Sequence, residues 1–414
     1  MSAAETGHIS IPDLLISIVC IWTFAKITNI FFDRFKLPSV LGELLTGLVL
    51  GIAILFLPDS GWLAQKFDFI RNSEVLFALG ELGIILLLFE VGLETEFNKI
   101  TSVGKEATLV ALGGVVAPFL FTWGFDYVLQ LNWSVELILF IGLVLAATSI
   151  GVTARVFQDL RVLNTLNAQV VLGAAVLDDI LGLILLSVIS ALVTQGSDSV
   201  SLLSISFITL KAIAFLGISI WVGSKISKKV IPLLGKMGRQ DPLGLSVWIV
   251  AFGFLLAFLA DFAGLAPIVG AFAAGVTLDR VKLKGLFGET KSIEDYIAPI
   301  RAVLAPIFFV KVGLAIDPST ILGTLPLLLT LIACVSKLVS SWIFVPFKTS
   351  MDRLVVGVGM MPRGEVGLVV AAIGSQIGLL KADLYSGVLV AVILTTLIAP
   401  LWLQILLKQK RKVS

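Results

Sequence analysis

Asp178 and Asp179 stand side by side within Val170–Ile184, a stretch whose other members are all apolar or glycine. An ionised carboxylate in the middle of such a stretch costs several kcal/mol unless a cation, a hydrogen-bond donor or water meets it. Adjacent residues on a helix point about 100° apart, so the two are badly placed to share one proton and each faces its own partner. One can neutralise a cation of the protein while the other binds a cation in transit.

Lys337 is a third ionisable group of this kind, set in Leu331–Ser341 and too deep in its apolar stretch to reach an interface by extending its stem. Paired with a carboxylate it remains an ammonium; on losing that partner in apolar surroundings it would give up a proton. Ordinary structural pairing is the competing reading.

Two further stretches carry interruptions. In Leu143–Arg155 the hydroxyls of Thr148 and Ser149 and the glycine at 151 break an apolar pattern. A helix that opens there exposes carbonyl and hydroxyl oxygens, the hard ligands an alkali cation needs when it sheds water. Pro362, Arg363, Gly364 and Glu365 interrupt a second stretch. Two broken helices at corresponding places point to a transport site. The plainer alternatives are a helix-to-helix hydrogen bond for the Thr-Ser pair and an interfacial loop for Pro362–Glu365. Glu43, Glu81, Glu90, Lys311 and Asp261 are weaker signals. Glu43 and Glu81 suit a vestibule or dimer interface, but they read first as satisfied interhelical contacts.

The elements that must hold these groups are long and apolar. Of the 414 residues, 58% are hydrophobic and 14% charged, against roughly a quarter charged in soluble domains. Thirty Lys and Arg against 28 Asp and Glu leave a net charge of +2, which suggests neither nucleic acid nor an acidic substrate as partner. His8 is the sole histidine, and Cys20 and Cys334 are the only cysteines. That inventory cannot build a thiolate or imidazole metal cluster, a disulfide framework or a His-dependent triad, and no cofactor is expected beyond the ions carried.

A bilayer core about 30 Å thick calls for about 20 apolar residues per helix. Such stretches fall at 12–32, 38–57, 75–94, 107–129, 135–157, 168–193, 203–224, 243–260, 263–279, 296–315, 320–346, 355–378 and 384–407. They are too long for buried strands and lack the alternation of barrel strands, so the expected fold class is an all-α polytopic membrane protein with about thirteen spans. The first stretch follows a tail without Lys or Arg and is expected to be a retained span rather than a cleaved signal.

One set of loops holds most of the basic residues: Arg34 and Lys36, Lys99 and Lys105, Arg155 and Arg161, Lys225, Lys228, Lys229, Lys236 and Arg239, Arg280, Lys282, Lys284 and Lys291, Lys348 and Arg353, and the tail from Lys408 to Lys412. The opposite set has little beyond Lys66, Arg71 and Lys381. This places the C-terminus in the cytoplasm and the N-terminus outside.

The chain also echoes itself. Leu37–Gly47 matches Leu265–Gly275 with both glycines in register, and Phe89-Glu90-Val91-Gly92-Leu93 matches Val310-Lys311-Val312-Gly313-Leu314. Each match is seven spans apart, an odd number that reverses orientation, so inverted repeats are expected. The organisation read from this is an N-terminal helix (1–34), a first repeat (35–194), connecting helices (195–262), a second repeat (263–407) and a basic tail (408–414).

Ala147-Thr148-Ser149 through Arg155, the Asp178-Asp179 pair, Lys337 and Arg363-Gly364-Glu365 together resemble the monovalent cation/proton antiporter superfamily, in the branch of bacterial sodium/proton and potassium/proton exchangers. The similarity spans nearly the whole chain. Paired aspartates with the lysine resemble the electrogenic sodium/proton type. Glutathione-gated potassium exchangers usually replace the first aspartate and append a nucleotide-binding domain, which a chain ending at Ser414 is not expected to carry. The resemblance implies a homodimer in the bacterial cytoplasmic membrane, each subunit with a scaffold and a six-helix transport bundle in which the fifth and twelfth spans cross at unwound centres. It further implies that Asp179 is the main ion-binding carboxylate, that Asp178 pairs with Lys337, that Thr148 and Ser149 assist as ligands, and that Arg363 and Glu365 contribute to ion pairing.

The expected activity is exchange of a monovalent cation, Na+ first and Li+ or K+ as alternatives, for protons that compete at Asp179. Rival readings are a potassium/proton exchanger, a sodium-coupled symporter and a passive cation channel. An intramembrane aspartyl protease would need two aspartates on separate helices in Tyr-Asp and Gly-x-Gly-Asp settings, and the chain has neither.

Overall fold

The computed structural model describes residues 10–34, 39–55, 66, 69–94, 97–163, 165–195, 207, 210–219, 221–222, 225, 242–279, 293–321, 323–345 and 351–411. Among these the regular structure is helical. The helices are α1 (Ile11–Arg34), α2 (Ser39–Leu55), α3 (Glu74–Glu94), α4 (Phe97–Leu129), α5 (Val135–Ala146), α6 (Ile150–Asp159) and α7 (Leu166–Gln195). The short α8 (Leu210–Ser219) follows, then α9 (Pro242–Phe262), α10 (Pro267–Asp279), α11 (Glu294–Leu314), α12 (Thr324–Phe344), α13 (Arg353–Gly359), α14 (Glu365–Gln376) and α15 (Ala382–Arg411).

Every apolar stretch read from the sequence falls on one helix or on a pair. The fifth divides into α5 and α6 and the twelfth into α13 and α14, while the ninth starts at Pro267 because Ala263 to Ala266 form a turn. Eight of the helices are long and apolar enough to cross a membrane, and the protein is an integral membrane protein. Of the basic loop residues, Lys36, Lys228, Lys229, Lys236, Arg239, Arg280, Lys282, Lys284, Lys291, Lys348 and Lys412 lie outside the described residues, as does His8; Lys99, Arg155, Lys410 and Arg411 are described in backbone only.

The chain forms two compact units. The first comprises residues 1–84 and 300–318, with α1, α2, the start of α3 and most of α11. Its core is Ile21, Ala25, Leu50, Leu76, Ile307, Val310 and Leu314. Here Gly47 of α2 lies so near α11 that a Cβ would strike the Val310 carbonyl and come within 2.7 Å of the Leu314 nitrogen. Small residues at such crossings let backbones meet, which substitutes for the hydrophobic drive that lipid removes.

The second unit comprises residues 85–299 and 319–414. Within it Gly275 of α10 meets the C-terminal part of α3 in the same way: a Cβ would strike the Phe89 carbonyl and come within 2.7 Å of the Leu93 nitrogen. These are the positions that the two sequence echoes align, Gly47 with Gly275, Val310 with Phe89 and Leu314 with Leu93. Segments related in sequence therefore make equivalent contacts.

Also in this unit, α4, α5 with α6, α7, α12, α13 with α14, and α15 pack on one another as a bundle of six spans. Val110, Ala111, Phe157, Val171, Ala174, Ala175, Val355, Val356, Ala399 and Leu403 form an apolar layer joining five of them. Thr148, Ser149, Thr153, Asp178, Asp179, Lys337 and Arg363 are buried in the same bundle.

Candidate functional site

The two interrupted spans meet at their interruptions. After Ala146 the chain leaves helical geometry, Ala147 taking φ −52° and ψ 135°, and it resumes as α6 at Ile150. In the other span Pro362 lacks an N–H and disfavours helical geometry at Met361, which accounts for the gap between α13 and α14. The Ser149 N–H donates to the Pro362 carbonyl at 2.8 Å, a backbone bond that locks one break to the other.

Breaking a helix in an apolar surround leaves carbonyls at its C-terminus without partners, and each needs one. At the end of α13 the Gly359 carbonyl accepts from the Thr153 hydroxyl at 2.8 Å. The Met360 carbonyl lies 3.3 Å from the Thr148 hydroxyl and 3.4 Å from an Arg363 guanidinium nitrogen. At the end of α5 the Ala147 carbonyl accepts from Arg363 at 2.9 Å, and the other terminal nitrogen of that guanidinium donates to the Ala333 carbonyl of α12 at 3.2 Å. Arg363 is completely buried. Its hydrogen bonds go to carbonyls, two of them at converging helix C-termini where the dipoles concentrate negative charge.

Asp178 and Asp179 both sit in the buried middle of α7. Asp178 Oδ2 accepts from Lys337 Nζ at 2.9 Å and from the Thr148 hydroxyl at 2.9 Å, with the Lys337 and Asp178 side chains wholly shielded from solvent. A fully buried pair gains its attraction only against a desolvation cost of several kcal/mol per ion, so good geometry and the extra donor from Thr148 are what make it tenable. Asp178 Oδ1 has no hydrogen-bond partner among the described residues. Ser149 is buried at the break, next to Gly364, where a Cβ would come within 2.6 Å of the serine Cβ.

The sequence-derived residues Thr148, Ser149, Asp178, Lys337 and Arg363 thus come together in one place, with Asp179 adjacent on α7. Glu365 begins α14, and its side chain lies outside what is described. In the first unit Glu43 is buried and accepts from Asn29 Nδ2 at 3.1 Å, while Lys311 donates to the Ser73 carbonyl at 2.9 Å. The Glu43 contact joins α2 to α1, and Lys311 of α11 reaches the residue that precedes α3.

Sequence reasoning missed three residues. Thr153 was visible as a hydroxyl one turn beyond Ser149. Thr396 of α15 donates to the Arg363 carbonyl and anchors the second break from a fifth strand of chain. Gly114 of α4 borders the ion pair and gave no sequence signal apart from its doublet with Gly113.

Two helices interrupted near mid-span, crossing beside buried carboxylates and a buried ammonium, define a membrane transporter rather than an enzyme. The family model described as "Sodium/hydrogen exchanger, transmembrane" matches residues 18–409, and the chain belongs to that family. It is 34% identical to the high-affinity Na(+)/H(+) antiporter NhaS3 of Synechocystis sp., over 99% of this chain and 93% of that one. It is 33% identical to the Na(+)/H(+)-K(+) antiporter GerN of Bacillus cereus, over 94% of this chain and 95% of that one. The fold matches the sodium proton antiporter MjNhaP1 of Methanocaldococcus jannaschii with a TM-score of 0.71 at 19% identity, over 95% of this chain and 98% of that one.

Proposed function

We propose that the protein exchanges Na+ for protons, both competing for Asp179. The observation that carries this is the meeting of the two helix breaks at the Asp178-Asp179 turn of α7. Asp178 pairs with Lys337 and Thr148; Asp179, turned about 100° around the helix, is read as the carboxylate that binds the transported ion. Thr148, Ser149 and the carbonyls freed at the breaks are oxygen ligands of the kind a dehydrating alkali ion requires.

Coupling follows from charge. An empty, ionised Asp179 would have to be carried past apolar surface at a cost of several kcal/mol, so the loaded bundle moves and the empty one stays. The movement is of elevator type, the six-span bundle against a scaffold in each subunit of a homodimer, with inverted repeats at 35–194 and 263–407 within each chain. When cation binding also displaces a proton from Lys337, two protons leave per cation and the cycle is electrogenic. The location is a bacterial cytoplasmic membrane with the N-terminus outside. Kinship with GerN, named for both Na+ and K+, makes K+ the second ion to assay.

The test is a pH-dye assay in proteoliposomes. Asp179→Asn should abolish sodium-driven proton movement, and sustained exchange by that variant would overturn the scheme.

A further inference from the structure

The space around the Lys337–Asp178 pair is shaped by a residue with no chemistry of its own. Gly114 lies in α4, the helix that packs against both α7 and α12. A Cβ at Gly114 would stand 2.9 Å from Lys337 Nζ and 3.4 and 3.5 Å from the two carboxylate oxygens of Asp178. The first distance is inside van der Waals contact, so adding one methyl group makes the ammonium, the far end of a flexible side chain, shift away from it. Every polar atom of the pair borders that single methyl-sized volume.

The preceding residue makes an internal control. A Cβ at Gly113 would run into the Phe344 ring and stand 2.7 Å from the Ser340 hydroxyl, with neither ion among its nearest neighbours. Glycine is a poor helix former, and two in succession within a spanning helix weaken it. Packing against Phe344 accounts for the first glycine. The second faces the charges.

We propose that Gly114 is a positioning residue for the Lys337–Asp178 pair, its bare Cα leaving the volume that lets the ammonium settle 2.9 Å from the carboxylate and so governing whether Lys337 takes part in exchange. A methyl there displaces the ammonium and leaves both buried charges poorly matched, a situation in which a buried ion pair becomes a liability. The link to exchange rests on the reading above, in which Lys337 releases a proton; the link to the geometry of the pair does not.

Two measurements on Gly113→Ala, Gly114→Ala, Lys337→Gln and the double variant Gly114→Ala/Lys337→Gln separate these links. In proteoliposomes with an imposed membrane potential, Gly114→Ala should lose most of the potential-stimulated exchange, as Lys337→Gln does, whereas Gly113→Ala keeps the stimulation even where its rate is lower. In thermal unfolding of the purified proteins, the drop caused by Gly114→Ala should vanish when Lys337 is already Gln, since the clash needs the ammonium. This cycle gives an answer even where Gly114→Ala alone is too unstable to reconstitute. An equal drop in both backgrounds, or a potential response in Gly114→Ala no different from that of Gly113→Ala while Lys337→Gln has lost it, overturns the proposal and leaves the exchange scheme standing. A full potential response in Lys337→Gln brings down the electrogenic scheme and, with it, the role of Gly114 in exchange.

Discussion

The crossing of α5/α6 with α13/α14 and the crossing of α10 with α3 solve the same problem by opposite means. At the glycine crossing, Gly275 lets two unbroken helices bring their backbones into contact. At the other, both helices are open, and their exposed carbonyls are met by Thr148, Thr153 and Arg363 from elsewhere in the chain. The first arrangement rests on the close approach of two helices across a small residue. The second holds polar oxygens inside an apolar bundle, where they are expensive unless used, and so it is the place to look for an ion. Close backbone packing and the candidate site fall on different helix pairs of one unit.

Substitutions at the two crossings should therefore fail in different ways. The largest loss of stability is expected from Gly275→Val. Its side chain would meet the Phe89 backbone, which cannot step aside, and overpacking of this kind costs about 3 kcal/mol or more. Protein that does fold should keep its cation affinity, and a changed KM for sodium in the folded fraction would blur the division drawn here. Thr148→Val removes a buried donor to Asp178 at the loss of about 1–3 kcal/mol. Here the larger signal should be in transport, with sodium KM rising well beyond the small change in thermal midpoint; unchanged transport would mean that the crossing is held together for stability alone. Thr153→Val is the mildest of the three. Its hydroxyl serves the Gly359 carbonyl, so stability should fall by about 1 kcal/mol with little effect on KM, which a thermal melt and a sodium titration of exchange would check together.

Much of this was legible in the chain before any coordinates. Long apolar stretches located the helices, because a bilayer or a bundle interior accepts little else. The interruptions at Thr148-Ser149 and Pro362–Glu365 were legible too, since hydroxyl pairs and proline compete with helical hydrogen bonding by local means. The two glycine segments were readable as echoes of each other, and their contacts in the structure follow the same pairing. The hydrogen bonds of Arg363 were not legible, because nothing in its neighbourhood along the chain announces that the carbonyls of Ala147 and Ala333 will converge on it. Thr396 and Gly114 were passed over for the same reason: a threonine in an apolar helix and a glycine doublet are common, and only their neighbours across the bundle distinguish them.

By itself, then, the order of residues determined which stretches are helical, where two of them must break and which charges are stranded in apolar surroundings, all of which depend on local geometry and on the cost of leaving water. Only the tertiary structure decided which carboxylate Lys337 takes, which carbonyls Arg363 fills and which glycine stands over the pair. Those contacts join residues from 30 to more than 200 positions apart, and they are selected by the packing of whole helices, a property that no short window of sequence contains.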